Sequence, residues 1–440
     1  MNIKHLYYIW LNTRLSPGSP TAKLLLEQYG DIEKIYRASP ADLAAFELNA
    51  REAARLQNKD TEEAERLYQY CENERIGLLC YDNPYYPGRL KAIDNPPPLF
   101  YYRGKVELLD DHPCIAMVGT RSCSEKGFRT AYRMAYKAAS YGAVVINGLA
   151  LGTDTACMKG ALDAGGYAVG LLGCGIDRIY PAQNDELFRR LSRQGLILSE
   201  FPPYTRPEAR NFPVRNRVIS GLSVASVIFE GAENSGALIT AAHALAQGRR
   251  IFALPGDVND PLYAGPLSLL KDGAQLVTDA EDIMTEYSLK FPHRINVHTR
   301  VTVPSGSENA AVTEAFSAAA LEKNASAPAE RHLPRPAKAP SFKAAGAKKR
   351  HNVPDADLPS DSVPQSETDA ASSASEPPKD LSILSATEQK LYSFFTQQSV
   401  YTVDELVAKG LKIDDLLSSL TLLEVYGFVR MLPGGRYERV

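Results

Sequence analysis

The sequence predicts an α/β protein whose core is a parallel sheet covered by helices on both faces. From residue 113 onward, short apolar runs alternate with stretches of helical spacing. Strands that are apolar at consecutive positions are typical of parallel sheets, which are buried on both faces. The composition agrees, because 44% hydrophobic and 23% charged residues are ordinary for a globular chain.

The N-terminal region, residues 1–70, has helical spacing and no strand pattern. Gly30 ends one predicted helix, and Ser39-Pro40 begins another with an N-cap serine and a proline at the first helical position. We expect a helical module of the helix-hairpin or SAM-like kind. Residues 71–112 are rich in tyrosine and proline, which predicts an extended connector packed on the core.

The core is expected to span residues 113–290 as alternating strands and helices. The predicted strands are Cys114–Val118, Ala143–Ile146, Ala168–Leu172, Leu196–Leu198, Val224–Phe229 and Ile251–Leu254. The predicted helices between them are Glu125–Ser140, Thr155–Ala164, Asn184–Gln194, Pro213–Ser220 and Ala237–Ala246.

Two further regions follow the core. Residues 304–380 are dominated by alanine, serine and proline without periodicity, which predicts a disordered linker. Residues 381–440 show three stretches of helical spacing and then a strand, turn and strand, the order of a winged helix. The expected recognition helix, Asp414–Tyr426, contains no basic residue, which favours a protein contact over duplex binding.

Glycine-bearing loops follow three of the predicted strands. They begin at Gly119, Gly148 and Gly231, and each leads into a predicted helix. Ligands of parallel sheets lie where strand ends meet helix N-termini, and Arg121 in the first loop can pair with a phosphate. Three such loops predict anion binding, although tight turns also require glycine without any ligand.

The segment around Asn211–Ile219 gives the sharpest local signal. Between residues 189 and 217 there are seven arginines against two glutamates, although the whole chain carries a net charge of -3. Arg215 and Arg217 could contact successive phosphates, and Phe212 could stack on a base. The alternative interpretation is a set of interhelical ion pairs and one buried phenylalanine.

Several kinds of chemistry have little support in the sequence. Neither a Walker-type phosphate loop nor a dinucleotide fingerprint occurs, and no two of the six cysteines lie within four residues of each other. His243 is more consistent with a packed helix residue than with a metal ligand or a catalytic imidazole. We therefore expect no metal, no cofactor and no enzymatic activity.

Targeting signals are also absent from the sequence. No apolar run approaches the roughly 18 residues that span a membrane, and the N-terminus lacks a signal-peptide pattern. We expect a cytoplasmic protein that does not bind membranes.

Seven ordered motifs resemble the DprA/Smf family of DNA-processing proteins. They are Gly119-Thr120-Arg121, NGLALGTD from Asn147, LGCGIDRIYP from Leu172, SEFP from Ser199, FPVRNRVISGLS from Phe212, SGALITA from Ser235 and FALPGDV from Phe252. The resemblance implies a Rossmann-like core that binds single-stranded DNA, forms a homodimer, protects incoming DNA and loads RecA recombinase during natural transformation. Thr120, Thr153, Cys157 and Leu267 depart from the residues usual at their positions.

The loops, the arginine-rich segment and the resemblance together give the expected nucleic-acid-binding residues. These are Gly119, Thr120, Arg121, Ser122, Gly148, Gly152, Lys159, Phe212, Arg215, Asn216, Arg217, Asn234, Ser235 and Gly236. Two alternatives remain open. One is a phosphoribohydrolase-like enzyme on a similar core, although its proline-glycine-glycine and threonine-glutamate loop is absent. The other is a nucleotide-sensing module with no polynucleotide ligand.

Overall fold

The N-terminal region of the computed structural model is helical, as the sequence predicts. The structure describes residues 1–46, 48, 50–297, 301–322, 331–332 and 386–395, and then 400–402, 405–406, 409, 416, 419–420, 423, 428–432 and 436–439. Gly30 ends its helix in the left-handed conformation, and Ser39 forms a capping box with Asp42. The first helices are α1 (Ile3–Arg14), α2 (Thr21–Tyr29), α3 (Ile32–Arg37), α4 (Pro40–Ala44), α5 (Ala50–Gln57) and α6 (Glu62–Asn73).

A mixed nine-stranded sheet forms the core. The strands are β1 (Gly77–Cys80), β2 (Leu99–Gly104), β3 (Cys114–Val118), β4 (Val144–Asn147), β5 (Ala168–Leu172), β6 (Arg178–Ile179), β7 (Leu196–Ser199), β8 (Ala225–Ile228), β9 (Arg250–Ala253) and β10 (Gln275–Leu276). All except β6 belong to this sheet, in the order β1-β2-β7-β5-β4-β3-β8-β9-β10. The strands from β7 to β10 in that order are parallel, as predicted.

The connector prediction for residues 71–112 is incomplete. This region supplies β1 and β2, which extend the sheet because β2 pairs antiparallel with β7. The tyrosines and prolines that indicated an extended chain also flank two short strands. The core sheet therefore begins about 35 residues before the predicted boundary at residue 113.

Helices cover both faces of the sheet. They are α7 (Gly88–Lys91), α8 (Glu125–Ser140), α9 (Thr153–Asp163), α10 (Asp185–Gln194), α11 (Asn211–Leu222), α12 (Gly236–Ala246), α13 (Ala264–Lys271) and α14 (Ala280–Tyr287). Strand residues alternate between the two layers, since Ile115 and Met117 pack with α8 and α9 whereas Ala116 and Val118 pack with α11 and α12. The α/β class and the Rossmann-like core are confirmed.

The predicted disordered linker begins too early at residue 304. A helix, α15 (Ser305–Glu322), packs against α8 and α9. Its Ala311 and Val312 are buried, and its Glu308 forms ion pairs with Arg129 and Arg133 of α8. Alanine and glutamate are strong helix formers, so a segment without apolar periodicity still forms a helix once α8 supplies cations. A short strand, β11 (Arg331–His332), pairs antiparallel with β6. The rest of the predicted linker, residues 323–330 and 333–380, lies outside the described residues.

The C-terminal region contains a helix and a three-stranded antiparallel sheet. These are α16 (Ala386–Phe394), β12 (Val400–Thr402), β13 (Val429–Leu432) and β14 (Arg436–Arg439). The helix and the β13–β14 hairpin agree with the predicted winged helix. Most of the expected recognition helix, Asp414–Tyr426, lies outside the described residues. Within the described ranges, no helix is both long and apolar enough to cross a membrane.

Candidate nucleic-acid interface

The candidate site lies at the carboxyl edge of the parallel strands. The chain runs from β3 outward through β4, β5 and β7, and then returns to place β8 on the other side of β3. Ligands of open α/β sheets bind at such a reversal of strand order. The loops after β3 and β8, which begin at Gly119 and Gly231, flank this position, as the sequence predicts.

The glycines of the first two loops allow the loops to pack against each other. A side chain on Gly119 would place its Cβ 2.5 Å from Thr153 Oγ1. Gly152 has a φ of +72°, and a Cβ there would lie 2.6 Å from the Thr120 carbonyl oxygen. Gly119 and Gly152 are thus required by the contact between the loops, whether or not a ligand is bound.

The second loop uses its own amide donors internally. The N–H groups of Gly148 and Ala150 donate to Asp154 Oδ2, at 2.9 and 3.3 Å. Burial raises the pKa of Asp154, while the charge of Arg215 and these two donors oppose the rise. Because Asp154 accepts the Gly148 hydrogen bond, the expectation that this amide binds a phosphate is not supported by the geometry.

The third loop caps α12 and is hydrogen-bonded to α11. Ser235 Oγ accepts a hydrogen bond from the Ala237 N–H at 3.4 Å, and Asn216 Nδ2 donates to the Gly236 carbonyl at 3.3 Å. Asn216 is buried, whereas Asn234 and Gly236 are exposed. The exposed part of the third loop is therefore the part that a ligand could reach.

The two arginines of α11 are buried. The Arg215 guanidinium donates to the Leu171 carbonyl and, through Nε, to Asn216 Oδ1 at 3.2 Å. Burial lowers the pKa of Arg215 to about 10, although Asp154 opposes this effect. Arg217 is only 2% exposed and donates to both carboxylate oxygens of Glu200 at 2.6 Å. The structure thus gives Arg217 a structural partner in place of the expected phosphate.

Phe212 is the centre of a cluster that remains accessible. The guanidinium of the exposed Arg121 lies 5.2 Å from the Phe212 ring centroid, and the Tyr180 ring lies 5.5 Å away on a tilted plane. Gly173 packs directly against Phe212, since a Cβ at this position would lie 2.7 Å from the Phe212 ring. We call Arg121, Phe212 and Tyr180 the Phe212 cluster.

Tyr180 is a site residue that the sequence reasoning missed. It belongs to a motif that carries the family resemblance, but it was given no role there. Its position could have identified it, because Tyr180 follows β5 and β6 in a fourth loop at the same edge of the sheet. An aromatic residue after any strand of this edge is a candidate.

Lys159 lies apart from this cluster. Its ammonium group is 2.6 Å from Glu314 of α15, and its side chain is only 12% exposed. Among the remaining predicted residues, Thr120 donates its N–H to the Glu230 carbonyl at 2.6 Å, and Ser122 is exposed beside it. The structure therefore brings the first loop, the third loop and Phe212 to one edge and places Lys159 under α15.

Ion pairs neutralise part of the arginine surplus, since Arg217 pairs with Glu200 and three further arginines also have carboxylate partners. Arg189 pairs with Asp185, Arg190 with Asp163, and Arg210 with Glu208. Two of these carboxylates precede residue 189, so a count over residues 189–217 does not include them. The charge available for phosphate binding is smaller than the sequence count suggests.

Comparison with known proteins identifies the family of the chain. Residues 77–288 match the family model described as DNA recombination-mediator protein A. The DNA processing protein DprA of Bacillus subtilis (strain 168) is 37% identical over 211 residues, which cover 48% of this chain and 71% of the relative. Protein Smf of Synechocystis sp. is 30% identical over 366 residues, which cover 82% of this chain and 80% of the relative.

A solved structure shows a related fold. The X-ray structure of DNA processing protein A from Streptococcus pneumoniae has a TM-score of 0.56 and 31% sequence identity, and the match covers 64% of this chain and 97% of that one. Two relatives of at least 30% identity are thus matched over more than two thirds of their length. The chain belongs to the DNA recombination-mediator protein A family, which includes the DprA and Smf proteins.

Proposed function

We propose that this chain is a single-stranded-DNA-binding protein that protects incoming DNA and loads RecA recombinase during natural transformation. The observation that carries the proposal is the Phe212 cluster, an exposed arginine beside two aromatic rings at the ligand-binding edge of the sheet. Membership in a family of recombination mediators, with relatives named DNA processing proteins, supports the same function.

The cluster offers contacts of two kinds. Arg121 can pair with a phosphate through two parallel N–H donors, and the rings of Phe212 and Tyr180 can stack on bases. Both contacts are independent of sequence, because every nucleotide carries a phosphate and a base with a π face. The proposed ligand-facing residues are Gly119, Thr120, Arg121, Ser122, Tyr180, Phe212, Asn234, Ser235 and Gly236.

The remaining predicted residues, except Lys159, support this surface. A Cβ on Gly148 would lie 2.3 Å from Arg215 Nη1, so Gly148 allows Arg215 to reach the Leu171 carbonyl. Arg215 in turn lies 5.9 Å from the Phe212 ring centroid. Gly152 allows the first two loops to pack together, and Asn216 holds the third loop by its hydrogen bond to Gly236. Arg217 fixes α11 by its ion pair with Glu200. Preorganised side chains bind with a smaller entropic cost.

The proposal includes partners and location. We infer that the chain acts as a homodimer in the cytoplasm and that RecA is its protein partner, because the resemblance to the DprA/Smf family implies these properties. The proposed activity is binding and delivery rather than catalysis. An increased rate of RecA assembly on single-stranded DNA, measured with and without the chain, would test the RecA part separately.

Equilibrium titrations test the DNA-binding part. We expect the full chain to bind an oligothymidylate more tightly than a duplex of the same length, with an affinity that falls with salt by about 0.7 log units per log unit for each phosphate contact. A mononucleotide should bind weakly. Preference for the mononucleotide would favour the nucleotide-sensing or phosphoribohydrolase-like alternatives, and equal affinity for single and double strands would contradict the proposal.

A further inference from the structure

A second aromatic pair, with one exposed ring, lies beyond the Phe212 cluster. Tyr204, in the loop between β7 and α11, is 53% exposed, and its ring centroid lies 4.6 Å from that of Tyr70 on α6. Tyr70 belongs to the N-terminal helices, so the pair bridges these helices and the core. Aromatic pairs of this kind usually gain their stability from burial, which Tyr204 largely lacks.

The backbone at Tyr204 is held in an uncommon conformation. Its φ is +70°, in the left-handed region that bulky residues rarely adopt. The Tyr204 N–H donates to Asp177 Oδ1 at 2.9 Å, and Asp177 is buried. A Cβ on Gly175 would lie 2.5 Å from the same oxygen, so a glycine is needed there. The fold thus stabilises a strained backbone that presents a tyrosine to solvent, a combination that is concentrated at binding sites.

The pair is connected to the Phe212 cluster through one short segment. Arg178 of β6 donates from Nη2 to the Tyr204 carbonyl at 3.2 Å, and Tyr180, two residues later, contacts the Phe212 ring. Consecutive Cα atoms are about 3.8 Å apart, so the Cα atoms of Arg178 and Tyr180 lie within about 7.6 Å of each other. Two arginines and four aromatic rings therefore follow one another along a continuous line.

We propose that this line binds one extended single strand of nucleic acid, with the Tyr204–Tyr70 pair as a second base-stacking subsite beyond the Phe212 cluster. We call it the aromatic track, and its residues are Arg121, Phe212, Tyr180, Arg178, Tyr204 and Tyr70. The proposal rests on the proposed function, which does not include the Tyr204–Tyr70 pair.

The charge along the track suits a polyanion. Arg206 and Arg210 are exposed in the loop that follows Tyr204, and Arg210 also pairs with Glu208 at 2.7 Å. Arg121 supplies a further cation at the Phe212 cluster. The strand β11 pairs with β6 through its backbone, and Tyr204 nevertheless remains 53% exposed. A strand on the track would thus find cations at the Phe212 cluster and in the loop between Tyr204 and α11.

The test compares the full chain with three variants on two ligands. Oligothymidylates of about 4 and about 16 nucleotides represent the range of single-strand site sizes. Tyr204→Asn removes the ring and keeps a residue that tolerates a positive φ. Tyr85→Asn is the matched control, because Tyr85 is an exposed tyrosine outside the track. Arg121→Ala reports on the Phe212 cluster.

We expect the unmodified chain to bind the longer ligand more tightly than the shorter one. Tyr204→Asn should reduce this gain by roughly 5- to 100-fold, since one base stack contributes about 1–3 kcal/mol, whereas Tyr85→Asn should leave the gain unchanged. Arg121→Ala should weaken both ligands. If Arg121→Ala weakens both but Tyr204→Asn preserves the full gain, the second subsite is contradicted and the proposed function stands. If the unmodified chain binds neither ligand, the proposed function itself fails.

Tyr204→Trp tests whether a loss of binding in Tyr204→Asn comes from the missing ring rather than from misfolding. It keeps an aromatic ring, so the affinity for the longer ligand should stay within about twofold of that of the unmodified chain. Base stacking should quench its emission when the ligand binds. Trp10 is the only native tryptophan and is fully buried, so its emission provides a constant background. Normal binding without any change in emission would overturn the inference.

Discussion

Arg121 is the residue on which the proposed site depends most. Its side chain is exposed, and its guanidinium lies over Phe212 without a carboxylate partner among the described contacts. Arg121→Ala should weaken single-strand binding by about 1–3 kcal/mol, the range for a hydrogen bond to a charged group. Unfolding by urea should be nearly unchanged. Arg189→Ala removes an arginine that pairs with Asp185 on the surface, so its affinity should match that of the unmodified chain. Equal losses in both variants would contradict a specific role for Arg121.

Single residues also show that counting charges along the sequence does not identify which arginines a ligand can reach. The position of Arg121 at the edge of the sheet could be derived from periodicity, which gives strand ends and loop positions, whereas Phe212 was chosen because it lies in the arginine-rich segment. Periodicity could not show that Arg217 and Arg215 have different partners, a carboxylate and a backbone carbonyl. The burial of Arg217 against Glu200, which lies 17 residues earlier, depends on how α11 packs on the sheet. Partners that only tertiary packing brings together cannot be identified from local charge.

His243 gives the protein a predictable response to acid. Burial, assisted by the charge of Arg217, lowers its pKa to about 4, below the usual 6.5. The unfolded chain therefore binds more protons between these values, and the free energy of unfolding should fall as the pH drops below about 6.5, by up to about 1.4 kcal/mol per pH unit. Urea unfolding at about pH 7 and about pH 5 measures the slope. His243→Gln should flatten it, and an unchanged slope in that variant would show that other groups cause the response.

At the scale of elements, the sequence predicts the bounds of some strands and helices to the residue. Cys114–Val118, Ala168–Leu172 and Glu125–Ser140 have the predicted bounds. The sequence analysis missed β2, because its pairing with β7 is a long-range contact across nearly 100 residues. It also missed α15, because alanine-rich composition is shared by linkers and by helices that pack on a charged neighbour.

The contact between α15 and α8 should depend on Glu308 more than on Glu314. Glu308 is 2% exposed and pairs with Arg129 and Arg133, whereas Glu314 is 64% exposed and pairs with Lys159. Glu308→Ala should make α15 easier to open by about 1–2 kcal/mol, in the range for hydrogen bonds to charged groups. Glu314→Ala should have little effect, because exposed ion pairs contribute about 0–1 kcal/mol. Amide hydrogen exchange of residues 305–316 measures both, and equal protection in the two variants would contradict this ranking.

At the scale of the whole molecule, the N-terminal helices are joined to the binding edge through Glu200. Its carboxylate accepts from Arg217 of α11 and from the Gly18 N–H at 3.1 Å, and its carbonyl accepts from Asn12 Nδ2 at 3.1 Å. Phe212 lies on the same helix as Arg217. The N-terminal helices thus stabilise the helix that carries Phe212, and they also contribute Tyr70 to the aromatic track.

The C-terminal region should contribute little to DNA binding by the core. Arg430 pairs with Glu438 at 2.6 Å, and Arg439 lies 5.3 Å from the Tyr392 ring centroid, so two cations of the β13–β14 hairpin already have partners. A chain that ends at Glu322 should keep its single-strand affinity within about tenfold, or about 1.4 kcal/mol. A chain that ends at Tyr287 lacks α15, which uncovers Phe128 and Lys159, and should be less stable although its Phe212 cluster is intact.

Comparing the two truncated chains with the full chain separates DNA binding from stability. Binding curves on the same oligothymidylate give the affinity, and urea unfolding gives the stability of the core. The C-terminal contribution is measured by the chain that ends at Glu322, because that chain retains every described contact of α15 with α8 and α9. A loss of more than about tenfold in this chain would mean that residues after Glu322 contact DNA. The first residues to replace would then be Arg430, Arg436 and Arg439. Phosphate binding by Arg430 and Arg439 would require each to leave its present partner, Glu438 and the Tyr392 ring.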